Sequence, residues 1–288
     1  MNTYYRAKRV LKLLRWRARR AAAALRWGAG ELRSAPAVLG NAMPKSGSHL
    51  IIQVLHGLTR TGPFVDPGFP PLNRAEDNSR LPEREVLANI ANMRPGDIAY
   101  GYIHAREPFL STLSGPGRAT IFVFRDPRDM IVSHVFYATQ IHPGHGMHRY
   151  YTQNLSSMEA RIEAAIRGVT EPGAELSDIN SRYQSYLGWL EQPAVLCLRF
   201  EDLILNREAA FERLLDYLER RGYRPRVRRQ QAIQALKQAV VPKKSGTYRK
   251  AQPGNWREYF SEANKLSFKQ QAGDLLIRLG YETDSDWQ

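Results

Sequence analysis

The chain has 288 residues, 43% of them hydrophobic and 24% charged, a globular composition that excludes a disordered chain and is long enough for one large α/β domain with its own core. One cysteine, Cys197, excludes an internal disulfide and a thiolate metal site; it lies in the apolar run 194–198, as expected of a core strand in a reducing compartment. The formal net charge of +14 points to anionic partners, whether nucleic acid, a membrane surface or phosphorylated ligands.

Much of that charge comes first. Residues 1–33 hold ten lysines and arginines against the single acid Glu31, so the remainder is only mildly basic. Leu11, Leu14, Ala18, Ala21 or Ala22, and Leu25 recur at helical spacing, which predicts a basic helix over 3–27. Such a helix either packs on the domain or seeks a membrane surface or partner; nucleic acid is the least favoured. The predicted division is therefore 1–35, a basic amphipathic helix, and 36–288, the main domain. No run approaches ~18 apolar residues, so no membrane span is expected, and arginines interrupt any signal-peptide core. A cytoplasmic protein follows, placed at the membrane surface if the first helix binds there.

A short strand is predicted over 38–42, then a loop and a helix from Ser48 to about Leu58. Residues 63–80 read as loop and 83–92 as helix. A strand over 98–103 ends at His104. Residues 119–124 are nearly all apolar, as a buried parallel strand should be, and feed a helix running to Tyr137. A His-, Gly- and Tyr-rich loop covers 139–154. Helices over 156–168 and 178–191, a third buried strand over 195–200, and helices over 206–221 and 226–239 follow. A basic loop spans 242–255 and a last helix 261–279. Strands alternating with helices predict an α/β fold, a central parallel sheet flanked by helices.

Three segments have the chemistry to bind anions. Pro44-Lys45-Ser46-Gly47-Ser48 joins a strand to a helix, where free N–H groups and the helix dipole converge. Gly47 lets an anion approach the backbone, Ser46 and Ser48 supply hydroxyls, and Lys45 supplies a cation. The spacing is not that of a nucleoside-triphosphate loop, since the lysine precedes the glycine. Arg125-Asp126-Pro127-Arg128-Asp129 follows the strongest strand, where ligands of open α/β sheets bind. Arg125 offers a planar fork, and Ser133 lies two turns along the next helix. A plain ion pair of Arg125 or Arg128 with Asp129 is the structural alternative. Arg249-Lys250, in a Gly/Pro loop, either closes over a phosphate or is a solvated charge run.

In this order and wording the motifs resemble the sulfotransferase family that uses 3′-phosphoadenosine 5′-phosphosulfate (PAPS). Pro44 to Ser48 resembles its 5′-phosphosulfate loop, and Phe124 to Asp129 with Ser133 its 3′-phosphate motif. Phe200-Glu201-Asp202-Leu203 resembles its Tyr-Glu-Asp-Leu, and Arg249 to Trp256 its C-terminal basic element. The resemblance covers about 38–280. It implies a P-loop-like α/β fold and sulfuryl transfer from PAPS to an acceptor hydroxyl or amine. It also implies roles: Lys45 on the leaving phosphate, helped by Ser46, Gly47 and Ser48; Arg125, Ser133, Arg249 and Lys250 on the 3′-phosphate; Phe200 in the cofactor site; His104 as general base. Histidine's ordinary pKa near 6.5 suits that task at neutral pH. The chain departs from many relatives at Leu50, where they carry an adenine-stacking tryptophan, at Tyr102 and Ala251, and at Phe200 itself.

The acceptor implied is a small molecule or lipid. His142, His145 and His148 lack nearby carboxylates, so no metal is expected. Two other functions remain open at this point: a nucleotide-dependent phosphotransferase of related fold, and an inactive basic protein that binds membrane or nucleic acid.

Overall fold

The computed structural model describes residues 3–241, 243 and 252–288; Arg249 and Lys250 lie outside the described residues. In chain order the elements are α1 (Thr3–Trp27), α2 (Ala29–Ser34), β1 (Ala37–Ala42), α3 (Ser48–Thr61), α4 (Glu83–Ala91), β2 (Ile98–Gly101), α5 (Phe109–Ser114), β3 (Arg118–Phe124) and α6 (Pro127–Phe136). Then come α7 (Met158–Arg167), β4 (Val169–Glu171), β5 (Ala174–Leu176), α8 (Ile179–Leu187), β6 (Val195–Arg199), α9 (Phe200–Leu205), α10 (Arg207–Arg220), α11 (Arg229–Ala239), α12 (Glu262–Ala272) and α13 (Leu275–Arg278).

Two compact units result. The first comprises Met1–Phe124 and Gly188–Ser245, the second Arg125–Leu187 and Gly246–Gln288. The first holds a four-stranded parallel sheet in the order β2-β1-β3-β6. All of β1 and all but the first residue of β3 are buried. That fits strands paired on both edges and covered on both faces, which need continuous apolar sequence rather than alternation. The central parallel sheet flanked by helices is the expected architecture. β1 admits α3 closely because Gly40 has no side chain: a Cβ there would lie 2.7 Å from Ile51 Cγ1.

Among the described residues of the second unit the strands are those of the β4–β5 hairpin, which the sequence reading missed; the rest is helix and loop. Beside buried aliphatic side chains such as Ile131, Val135 and Ile162, this unit holds an aromatic cluster around an ion. Arg128, 2% exposed, lies 4.1 Å from the Trp256 ring centroid and 4.6 Å from that of Trp287. Asp126 and Glu282 neutralise it at 2.7 and 2.6 Å.

Three boundaries differ from expectation for physical reasons. The second strand stops at Gly101 because side chains, not a neighbouring strand, take the next backbone groups. Asn73 bonds the carbonyl and N–H of Tyr102, and Asn41 those of Ile103. The last predicted helix breaks into α12 and α13 at Gly273, whose φ is +57°. The 139–154 loop begins and ends in π-helical turns, Tyr137–Ile141 and Tyr150–Asn154.

Candidate active site

In the first unit, the chain leaves β1 and turns into α3 through Met43 to Gly47. Lys45 and Gly47 both have left-handed backbones, φ 67° and 101°. Left-handed residues alternating in this way turn successive N–H groups toward one side, which makes an anion-binding concavity. The first N–H groups of α3 add to it, since no side chain caps the helix. Ser46 is fully buried, and its hydroxyl has no hydrogen-bond partner among the described residues. A buried hydroxyl in that state costs free energy unless something accepts from it or donates to it. Gly47 is obligatory twice over: its φ disfavours any side chain, and a Cβ would lie 2.8 Å from Cδ2 of the Phe200 ring. Phe200, buried at the start of α9, thus backs the loop.

His104 lies beyond β2 in the same unit. Its segment is pinned by neutral hydrogen bonds. Asn41 Nδ2 donates to the Ile103 carbonyl at 2.9 Å, the Ile103 N–H donates to Asn41 Oδ1 at 2.8 Å, and Trp189 Nε1 donates to the same carbonyl at 2.9 Å. Asn73 does the same for Tyr102, donating at 2.8 Å and accepting at 3.1 Å. Desolvation lowers the His104 pKa below the usual imidazole value, and the cations Arg80 and Arg106 lower it further. The ring is therefore neutral, and able to accept a proton, at pH 7. His49, in the first turn of α3, is shifted the same way by burial and by Lys45.

In the second unit, Asp126 caps α6, its Oδ1 accepting from the Arg128 N–H at 2.9 Å, with Pro127 at the first helical position. The Arg125 carbonyl accepts from Tyr183 Oη at 2.7 Å. Asp129 and Ser133 fall four residues apart in α6, so they share one side of it; Arg125 precedes the helix and its cap Asp126. Ser133 is the one residue of α6 that is not buried. The Arg125 guanidinium stands 3.8 Å from Asp129, and Asp129 accepts from the backbone N–H groups of Gly254 and Trp256, each at 2.8 Å. Burial raises the Asp129 pKa, while Arg125 opposes the rise. The ion pair anticipated as a structural alternative is present at Arg125–Asp129; Arg128 instead serves Asp126 and Glu282.

Sequence reasoning missed Asn41, Asn73 and Trp189. None carries a motif, because each acts on backbone groups distant in sequence. His142, His145 and Tyr137 pack edge to face, with centroids 5.5–6.4 Å apart, and His148 Nδ1 lies 2.7 Å from the Ala138 carbonyl. Among the described residues no group of three His, Cys, Asp or Glu side chains is placed to hold a metal. Cys197 is a packed thiol, its pKa pushed up to about 12 by burial.

Residues 108–279, more than half of the chain, match the family model described as the sulfotransferase domain. Arg125, Ser133 and Phe200 fall inside the matched segment; Lys45 and His104 precede it. Against curated proteins no match is found. Among solved structures, mouse sulfotransferase SULT7A1 complexed with PAP is similar, with 14% identity and a TM-score of 0.52 over 87% of this chain and 88% of that one. Retinol dehydratase, in complex with androsterone and the inactive cofactor PAP, is similar with 16% identity and a TM-score of 0.55 over 90% of this chain and 85% of that one. Identities this low carry the fold.

Proposed function

The chain belongs to the sulfotransferase family, and from that premise we propose that it transfers a sulfuryl group from PAPS to an acceptor hydroxyl or amine. The observation that carries the reading is the loop between β1 and α3. Its left-handed Lys45 and Gly47, the orphaned Ser46 hydroxyl and the uncapped start of α3 form a donor set suited to a phosphate. Lys45, Ser46, Gly47 and Ser48 are proposed to hold the 5′-phosphosulfate. Arg125 and Ser133 are proposed to hold the 3′-phosphate, together with Arg249 and Lys250.

When bound, PAPS supplies an already activated sulfuryl group, so the protein must position, neutralise and deprotonate. Lys45 places a cation where charge grows on the leaving phosphate oxygen. Phe200 packs where any side chain at position 47 would collide, which keeps the loop backbone bare for close approach. His104, neutral through its lowered pKa, accepts the acceptor's proton at a ring nitrogen as the nucleophile attacks. With a preactivated donor and a lysine on the leaving group, no metal is required. The acceptor is proposed to be a small molecule or lipid, the setting cytoplasmic, and residues 1–33 the means of reaching a membrane surface.

The test is ligand-dependent melting. PAP at about 100 times its dissociation constant should add ~2.7 kcal/mol of stability, and ATP much less. Arg125→Ala should weaken PAP far more than adenosine 5′-phosphosulfate, which lacks the 3′-phosphate. Equal shifts with ATP and PAP, or equal losses for the two ligands in the variant, would remove Arg125 and Ser133 from a 3′-phosphate site.

A further inference from the structure

The leucine repeat of α1 is expected to pack inward if the helix is only a structural element. The helix instead docks through its other side. Trp16, 7% exposed, donates from Nε1 to Asp97 Oδ1 at 2.9 Å and meets Phe69 edge to face. Leu32 and Val65 complete that small cluster. Lys12 pairs with Glu76 and Arg20 with Asp97, each at 2.7 Å, and Arg19 donates to the Asp66 carbonyl at 2.8 Å.

At ~100° per residue, Val10, Leu14, Ala18, Ala21 and Leu25 all fall within about 40° of Leu14, on the side opposite Trp16. They are exposed, Leu25 by 90% and Val10 and Leu14 by 56% each. Of the eight large apolar side chains exposed among the described residues, five are in α1: Val10, Leu11, Leu13, Leu14 and Leu25. Arg15 and Arg26 flank the stripe on one side and Arg17 on the other; all three are exposed. Arg15 and Arg17 make no ion pair among the described residues.

We infer that this outward stripe is the docking surface for an anionic lipid bilayer, with α1 lying in the plane of the interface. The inference rests on the membrane reading proposed above and assigns it a face and a lipid charge. An aliphatic stripe bordered by arginines matches acyl chains beneath negative head groups. A second copy of the chain would set like-charged borders against each other, and nucleic acid has no use for bare aliphatic side chains. No described helix is long and apolar enough to cross a membrane, so the contact is one of surface attachment. Because Trp16, Lys12 and Arg20 tie the opposite side to the first unit, the stripe points outward without any rearrangement of α1.

The experiment uses the full chain and sedimentation with vesicles of phosphatidylcholine, with and without phosphatidylserine, at low and high salt. The unaltered chain should bind only the serine-containing vesicles, and binding should weaken about tenfold or more in high salt. Leu14→Asp with Leu25→Asp should abolish attachment without lowering the melting temperature, since both side chains are exposed. Arg15→Gln with Arg17→Gln should weaken it about tenfold or more. If the unaltered chain ignores both vesicle types, the membrane reading and this inference fall together. If it binds and the leucine variant binds equally well, the reading stands and the face is wrong. A vesicle-free dimer that Leu14→Asp dissociates would assign the stripe to a second copy and overturn the inference.

Discussion

In the first unit the segment bearing His104 is held by neutral amides and an indole: Asn73 on Tyr102, Asn41 and Trp189 on Ile103. In the second unit the segment bearing Arg125 is held by full charges: Asp126 and Glu282 on Arg128, and Asp129 beside Arg125. The difference follows from what each side chain is proposed to do. A proton acceptor needs to be unprotonated at the working pH while keeping an affinity near it, and a neutral frame leaves that affinity to desolvation and to Arg80 and Arg106. An anion grip needs a fixed cation. Asp129 commits its two oxygens to the Gly254 and Trp256 N–H groups and stands 3.8 Å from Arg125, beyond hydrogen-bond distance. It sets a negative charge beside the guanidinium.

The largest effect should separate chemistry from binding. His104→Ala should lower turnover by about 10²–10⁴-fold, the usual contribution of a general base, and leave PAP affinity unchanged. Steady-state turnover beside a PAP titration reads both. Lys45→Ala should also cost turnover, whereas exchanging the half-buried Lys269 should not. Near-normal turnover without His104 would move the base elsewhere, and His49, also shifted downward, would be the next candidate.

The middle-sized effect sets the two frames against each other. Asn41→Ala strips the Ile103 N–H of its acceptor, while the Ile103 carbonyl keeps Trp189. Asp129→Asn keeps one acceptor oxygen for two N–H groups and removes the charge beside Arg125. Each should cost about 1–3 kcal/mol in urea unfolding, the range for a buried group left unpaired. Their functional signatures should be opposite: Asn41→Ala lowers kcat with PAP affinity retained, and Asp129→Asn lowers PAP affinity with less change in kcat. Matching signatures would mean that both residues support the fold and neither positions a functional side chain.

Much of this was legible in the sequence. The parallel strands showed because burial on both faces forces continuous apolar runs, as in 119–124, and Pro44 to Ser48 showed because glycine and serine between strand and helix have few other uses. The frame did not. Asn41 looks like any polar residue in a strand, and its task appears only once Ile103 lies beside it. The β4–β5 hairpin, three residues a side, is too short for a period-two pattern to emerge. The side of α1 that docks was misleading: five aliphatic positions outweigh one tryptophan in any periodicity count, yet Trp16 packs and pairs with buried Asp97 while the leucines stay in water.

The smallest effect tests whether the neutral frame leaves His104 tuned by its surroundings. The ring's pKa is lowered, so the base-competent neutral form persists below the ordinary value of 6.5. The acid limb of kcat/KM, which reports the free enzyme, should lie below that value for the unaltered chain. Arg80→Gln with Arg106→Gln removes two cations that oppose protonation, so the limb should move up. It should stay below 6.5, because partial desolvation of the ring, the larger cause, is untouched. Both arginines are exposed, so their effect is screened by salt, and the gap between variant and parent should narrow as ionic strength rises. A parent limb above 6.5 would show that the titrating base is not His104. A limb that the double variant leaves in place at every salt concentration would show that burial alone sets the proton affinity.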